Sequence, residues 1–230
     1  MITISAMKWA PDFAAGQVRD YRLRWLLKEV GWPYEVCLVD APTLASAEYR
    51  RKQPFGQVPY LEEDGRPVLF ETGAIALDVS IRAGKMIPSD DAGRAEVVTW
   101  VVAALNSVEP PLMNVAEVEY FIEDEAQKAA RRPQVVQAAE LRLSQLETVL
   151  TGRDWLVGDE FTVADMVMAS VLGIARETGL LGKFPALRAY FDRATDRPGF
   201  REAVEEQRAT IAQHEMADMK FDFEEASHAA

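Results

Sequence analysis

Thiols are almost missing from this chain: among its 230 residues only Cys37 is a cysteine. One thiol excludes an internal disulfide framework and any C-x-x-C redox pair. The two histidines, His214 and His228, offer no metal-ligand spacing, so no metal is expected. Basic runs are absent too. The 25 Lys and Arg are outnumbered by 37 Asp and Glu, for a formal charge of −12. Nucleic acid and anionic membranes need a basic footprint and are not expected partners. No stretch reaches ~18 uninterrupted apolar residues. "MITISAMKWA" also lacks a charged region followed by an apolar core. A soluble, cytoplasmic protein is expected. With 49% hydrophobic and 27% charged residues, the chain can bury a sizeable core in one or two domains.

The first part alternates in type. "ITISAM" (2 to 7) has strand character. From about Gly16 to Val30, Leu23, Leu26, Leu27 and Val30 recur on one helical face, and Gly31 follows as the closing residue. "YEVCLVD" (34 to 40) returns to a strand. "VPYLEE" and "PVLFE" flank an Asp64-Gly65 turn as a hairpin, and a helix starts at Thr72. Residues 84 to 92 collect Gly, Pro, Ser and Asp and read as a linker. Beyond it nearly every segment is helical in period: Ala139, Leu143, Leu146 and Leu150 form one stripe. "FTVADM" reads as a helix start, with Thr162 and Asp165 as a capping box and Phe161 and Met166 as a hydrophobic staple. The tail from about Arg208 to Ala230 is less periodic, although Met216, Met219, Phe221 and Phe223 give it apolar content. The acidic residues Glu117, Glu119, Glu123, Asp124 and Glu125 have no calcium-loop spacing and read as a solvated face.

Three stretches carry a resemblance: "VRDYRLRWLLKEVGWPYE" (18 to 35), "QPFGQVPYLEEDGRPVLFETGAI" (53 to 75) and "WLVGDEFTVADMVMASVL" (155 to 172). In this order and spacing the chain resembles a bacterial cytosolic glutathione transferase. The fold implied is α/β plus all-α. A thioredoxin-like glutathione-binding domain (1–83) is joined by the linker 84–92 to an all-helical domain (93–230) holding the electrophile site and dimer contacts.

The resemblance implies a cis Val58-Pro59 peptide that leaves the backbone of Val58 to pair with the cysteinyl part of glutathione by strand addition. Read locally, Pro59 is a trans proline opening a strand, the commoner use of such a residue. Glu71 and Thr72 lie where a strand gives way to a helix, a place that favours an anion. The resemblance implies the γ-glutamyl carboxylate there, with Glu71 taking the ammonium; as plain local structure Thr72 is an N-cap. Gln57 is placed to reach the glycyl end.

The usual activator of the thiol departs from the family pattern. Relatives carry a Tyr, Ser or Cys near the start of the first helix, whereas "KWAPDFAAGQVRDYRLR" puts Gln17 at the serine position. Three readings stay open. Gln17, with backbone N–H groups around Val18 and Arg19, stabilises the thiolate; or Phe13 and Trp9 wall the sulfur while another donor acts, Arg19 or Tyr21; or glutathione binds without activation. Cys37, mid-strand, reads as structural. Trp9, Pro11, Trp100, Asn106 and Val108 are candidates to line an electrophile site, and Pro110-Pro111 marks a helix break. The function implied is attack of the thiolate of bound glutathione, as co-substrate, on a small apolar electrophile. Thiol-disulfide or peroxide reduction, or a non-catalytic glutathione- or protein-binding module, are the alternatives. A homodimer through segment 93–125 is also implied.

Overall fold

A computed structural model describes residues 1–216 of the chain; the tail residues Met219, Phe221, Phe223 and His228 lie outside the described residues. Four strands among the described residues make one sheet in the order β2-β1-β3-β4. β1 (Ile2–Met7) and β2 (Glu35–Val39) are parallel, with Ser5 opposite Cys37. Helix α1 (Asp20–Val30) connects them, as a parallel pair requires. β3 (Tyr60–Glu63) runs antiparallel to β1, Leu61 opposite Ile4, and β4 (Leu69–Phe70) closes the edge antiparallel to β3. Two short helices, α2 (Ala41–Ala45) and α3 (Ala47–Arg50), follow β2. α4 (Thr72–Ala83) follows β4. This is the thioredoxin-like arrangement expected.

The apolar face of α1 is buried as its spacing predicts: Leu23, Leu26, Leu27 and Val30 join Ile4, Leu61 and Ile75 in the core. Gly31, at φ 77°, ends the helix, its N–H bonded to the carbonyls of Leu27 and Lys28. The start of α1 differs from the expectation of about Gly16. Gly16 sits at φ 87°, outside helical space, and residues 11–17 form successive turns instead.

The remaining segments are helical. They comprise α5 (Asp91–Ala103), a π-helical turn at Ala104–Val108, α6 (Glu109–Tyr120), α7 (Glu125–Leu150), α8 (Val163–Glu177), α9 (Pro185–Thr195) and α10 (Pro198–Ala212). The break expected at Pro110-Pro111 takes the form of that π-turn, because two consecutive residues without N–H groups cannot continue the ladder. The stripe Ala139, Leu143, Leu146 and Leu150 faces inward on α7. In the acidic run, Glu117 and Glu119 pair with Arg131 and Arg132, and Asp124 caps α7. The capping box at Thr162 and Asp165 is present, and Phe161 packs edge-on against Trp155 with Arg197 over its ring.

By their contacts the residues form two compact units: Met1–Asp78 with the segment from Arg201, and Val79–Phe200. Sequence periodicity groups 93–230 as helical. Contacts assign most of the last helix to the unit that holds the sheet, a partnership that periodicity does not encode.

Candidate functional site

The Val58–Pro59 peptide is cis. Its surroundings form a bracket of buried polar groups. Tyr60 N–H donates to Ser5 Oγ at 2.9 Å, Ser5 Oγ lies 2.9 Å from the Tyr49 hydroxyl, and Tyr49 donates to the Gln57 carbonyl at 2.7 Å. A carbonyl only accepts, so Tyr49 spends its proton on Gln57 and takes one from Ser5, which in turn accepts from Tyr60. Burial pushes the Tyr49 phenol up, which keeps it a donor at neutral pH. The Gln57 N–H goes to Oε1 of Gln53 at 3.0 Å, and that oxygen also accepts from Phe55 N–H at 2.9 Å. Val58 lies between these anchored neighbours, half-buried, and its backbone makes no hydrogen bond among the described residues. Its N–H and C=O are therefore available to an extended peptide as a strand edge.

Glu71 is exposed and holds φ 67°, a backbone conformation uncommon for a side chain of this kind. It accepts the first bond of α4, from Ile75 N–H at 3.0 Å. Thr72 is therefore the first residue inside the helix, not its N-cap. Below it, the buried Arg22 of α1 donates from Nη1 to Thr72 Oγ1 at 3.4 Å. An arginine has no acceptor, so the threonine oxygen receives this bond and its own proton remains for an outside acceptor. A buried cation, a donor hydroxyl and a helix start converge on one point, a combination that suits a carboxylate.

Trp9 and Pro11 are half-buried and Phe13 is exposed, in the turns between β1 and α1. Gln17 sits in the last of these turns, half-buried. Its N–H is taken by the Ala14 carbonyl at 2.8 Å, while its side-chain amide makes no hydrogen bond among the described residues. Tyr21 is buried in the core, 2% exposed. Cys37 packs with Val39, Tyr49 and Tyr60, as a structural thiol does. In the other unit, Trp100 is half-buried on α5, Asn106 is exposed in the π-turn, and Val108 is buried. No group of three metal-ligating side chains occurs among the described residues, and none of their helices is long and apolar enough to cross a membrane.

Three residues of this arrangement are not singled out as site residues by the sequence: Ser5 in "ITISAM", Gln53 at the start of the stretch 53 to 75, and Arg22 in the stretch 18 to 35. All three are buried, at 0%, 3% and 3% exposure. A polar residue inside an apolar run is the trace that Ser5 leaves in the sequence.

The profile of the glutathione S-transferase N-terminal domain matches residues 13–77, and that of the C-terminal domain matches residues 109–198. Glutathione S-transferase 3 of Zea mays is 29% identical over 196 residues, covering 80% of this chain and 87% of that protein. Elongation factor 1-gamma of Rattus norvegicus is 29% identical over 163 residues, 69% of this chain and 36% of that protein. Among solved structures, a glutathione transferase of Burkholderia graminis, determined with two glutathione molecules bound per subunit, is similar in fold. Its TM-score is 0.77, over 89% of this chain and 87% of that chain, at 24% identity. Matched in order by both domain profiles over more than half its length, the chain belongs to the glutathione transferase superfamily.

Proposed function

We propose that the chain binds glutathione and uses its thiolate to attack a small apolar electrophile. The observation that carries this reading is the backbone of Val58, which has no partner among the described residues and sits between two anchored neighbours, with the Glu71-Thr72 helix start in the same unit. The cysteinyl part pairs with Val58 next to Pro59. The γ-glutamyl carboxylate meets Thr72, Glu71 takes the ammonium, and Gln57 reaches the glycyl end. A thiol so placed needs a donor to become thiolate at neutral pH. The side-chain amide of Gln17 is the group for this role, with Phe13 walling the sulfur and Trp9 and Pro11 facing an apolar partner.

Ultraviolet titration of the bound thiol tests the reading. Glutathione on the protein is expected to ionise at lower pH than free glutathione. Gln17→Ala is expected to lower turnover with chlorodinitrobenzene by more than about tenfold, with little change in glutathione affinity. An unchanged rate would move the role to the Val18 N–H or to Arg19. The similarity to elongation factor 1-gamma favours, as second reading, a module that binds glutathione without activating it. A bound thiol that titrates like the free one selects that module.

We further infer a homodimer through segment 93–125. Val98 and Val102, one helical turn apart on α5, are 40% and 54% exposed, and Met113 on α6 is 37% exposed. Sedimentation equilibrium is expected to return twice the mass of 25.7 kDa; a monomer at micromolar concentration refutes the inference.

A further inference from the structure

Helix α1 begins without the usual device. Its N-cap, Arg19, has helical geometry and makes no side-chain cap bond. A different anchor for this end of the helix comes from α10. Gln207 on α10, 2% exposed, donates from Nε2 to the Val18 carbonyl at 2.8 Å and to Asp20 Oδ1 at 2.7 Å. The second oxygen of Asp20 accepts from Arg24 Nε at 2.9 Å, and Arg24 Nη1 reaches Glu206 at 3.0 Å. Glu206 also accepts from Tyr34 at 2.8 Å and pairs with Lys28 at 2.9 Å. The same helix meets the preceding turn. A Cβ at Gly16 would stand 2.8 Å from Arg208 Nε and 3.1 Å from Val204 Cγ1, and Arg208 Nε donates to the Ala15 carbonyl at 3.4 Å.

We propose that Gln207 is a positioning residue for thiol activation: its amide fixes residues 18–20 and confines the Asp20 charge away from the thiolate. The inference rests on the reading of Phe13 to Val18 as the thiol side of the glutathione site. Asp20 occupies the first turn of α1, where a helix favours negative charge, and a free carboxylate there competes with a thiolate for the same field. With both oxygens engaged, by Gln207 and by Arg24, the carboxylate is held inward. Burial still pushes the Asp20 carboxyl up, against the lowering effect of Arg24 and Gln207. The choice of Gln follows from the partners. Both are acceptors, so the position needs two donors, and a carboxylate of the same size would meet Asp20 and the Val18 carbonyl with lone pairs only. The Oε1 atom of Gln207 has no partner among the described residues, so its bonding runs through the donor side.

Two variants of similar volume, Gln207→Met and Gln207→Glu, test this by thiol titration and by kinetics with chlorodinitrobenzene. Gln207→Met is expected to move thiol ionisation to higher pH and to lower kcat by about tenfold, with KM for glutathione within about twofold. Gln207→Glu is expected to lose more at neutral pH. Its rate relative to the unaltered protein rises as the pH is lowered, because the new carboxyl takes a proton and regains a donor. A merely structural role would lower the melting temperature and leave the thiol ionisation and this pH-dependent ratio unmoved, which overturns the proposal. The variants are read separately, so loss of folding in one leaves the other to decide. If glutathione on the unaltered protein titrates like free glutathione, the thiol-side reading falls and this inference with it. If the unaltered protein lowers the thiol pKa and both variants match it, the role of Gln207 alone falls.

Discussion

Asp165→Ala is expected to lower the stability of the helical unit by about 4 kcal/mol, read as a shift in the urea midpoint at constant slope. The carboxylate is fully buried and accepts four bonds: from Leu156 N–H at 2.8 Å, Thr162 N–H at 2.8 Å, Thr162 Oγ1 at 2.9 Å and the Tyr190 hydroxyl at 3.0 Å. It therefore ties the start of α8 to the loop before it and to α9. Alanine leaves these donors without their acceptor in a buried setting, where each unpartnered group costs about 1–3 kcal/mol. The sum is smaller than a simple addition because the loop can relax and admit water. Asp165→Asn keeps one accepting oxygen and turns an NH2 toward a donor, so an intermediate loss is expected. A loss below about 1 kcal/mol for alanine would show that the loop 155–162 re-pairs its donors at little cost.

For the ligand site the largest effect is expected from Thr72→Val. Glutathione should bind roughly 10–100-fold more weakly, from the loss of one hydrogen bond to a carboxylate. The substitution preserves shape and β-branching, so α4 keeps its first turn. Thr72→Ser, which keeps the hydroxyl over the Arg22 guanidinium, should stay within about threefold of the parent. Cysteinylglycine provides the control. It lacks the γ-glutamyl group, so calorimetry should give it the same, weaker affinity for the parent and for Thr72→Val. If the dipeptide loses as much as glutathione does, Thr72 shapes the site as a whole and does not meet the carboxylate.

The sequence made the scaffold legible because its signals are local. Leu23, Leu26, Leu27 and Val30 mark the buried face of α1, Gly31 its end, and Thr162 with Asp165 the start of α8; each lies within one turn of the residues it governs. The stretch around Val58 and Pro59 was legible through a family resemblance, and the cis peptide agrees with it. What stayed hidden depends on distance along the chain. Arg22 and Arg24 are not among the apolar residues that mark the buried face of α1, yet they are 3% and 1% exposed. Two of their acceptors, Thr72 and Glu206, come from distant regions of the sequence, while Asp20 lies one turn before Arg24 on the same helix. The apolar spacing alone sets the start of α1 too early: Gly16 is in left-handed geometry, so α1 does not extend back to it and Gln17 ends a turn instead of opening a helix. Gln207 could not be anticipated, since nothing in "FREAVEEQRATIA" says that its glutamine answers a carbonyl at Val18.

The assignment of the last helix to the first unit gives synthesis a direction that matters. The sheet, with Arg24 and Asp20 beneath it, leaves the ribosome early, while Glu206 and Gln207 follow only after the whole helical unit Val79–Phe200 has emerged. Until then a guanidinium and a carboxylate meant for the interior keep only each other, beside the gap that α10 will fill. The unit begun first is thus completed last, and the helical unit is a long insertion within it, whose length adds only slowly to the entropy of closing the loop. A nascent chain stalled before Arg201 would hold a sheet whose following turn still lacks the helix that braces it at Ala15 and Gly16.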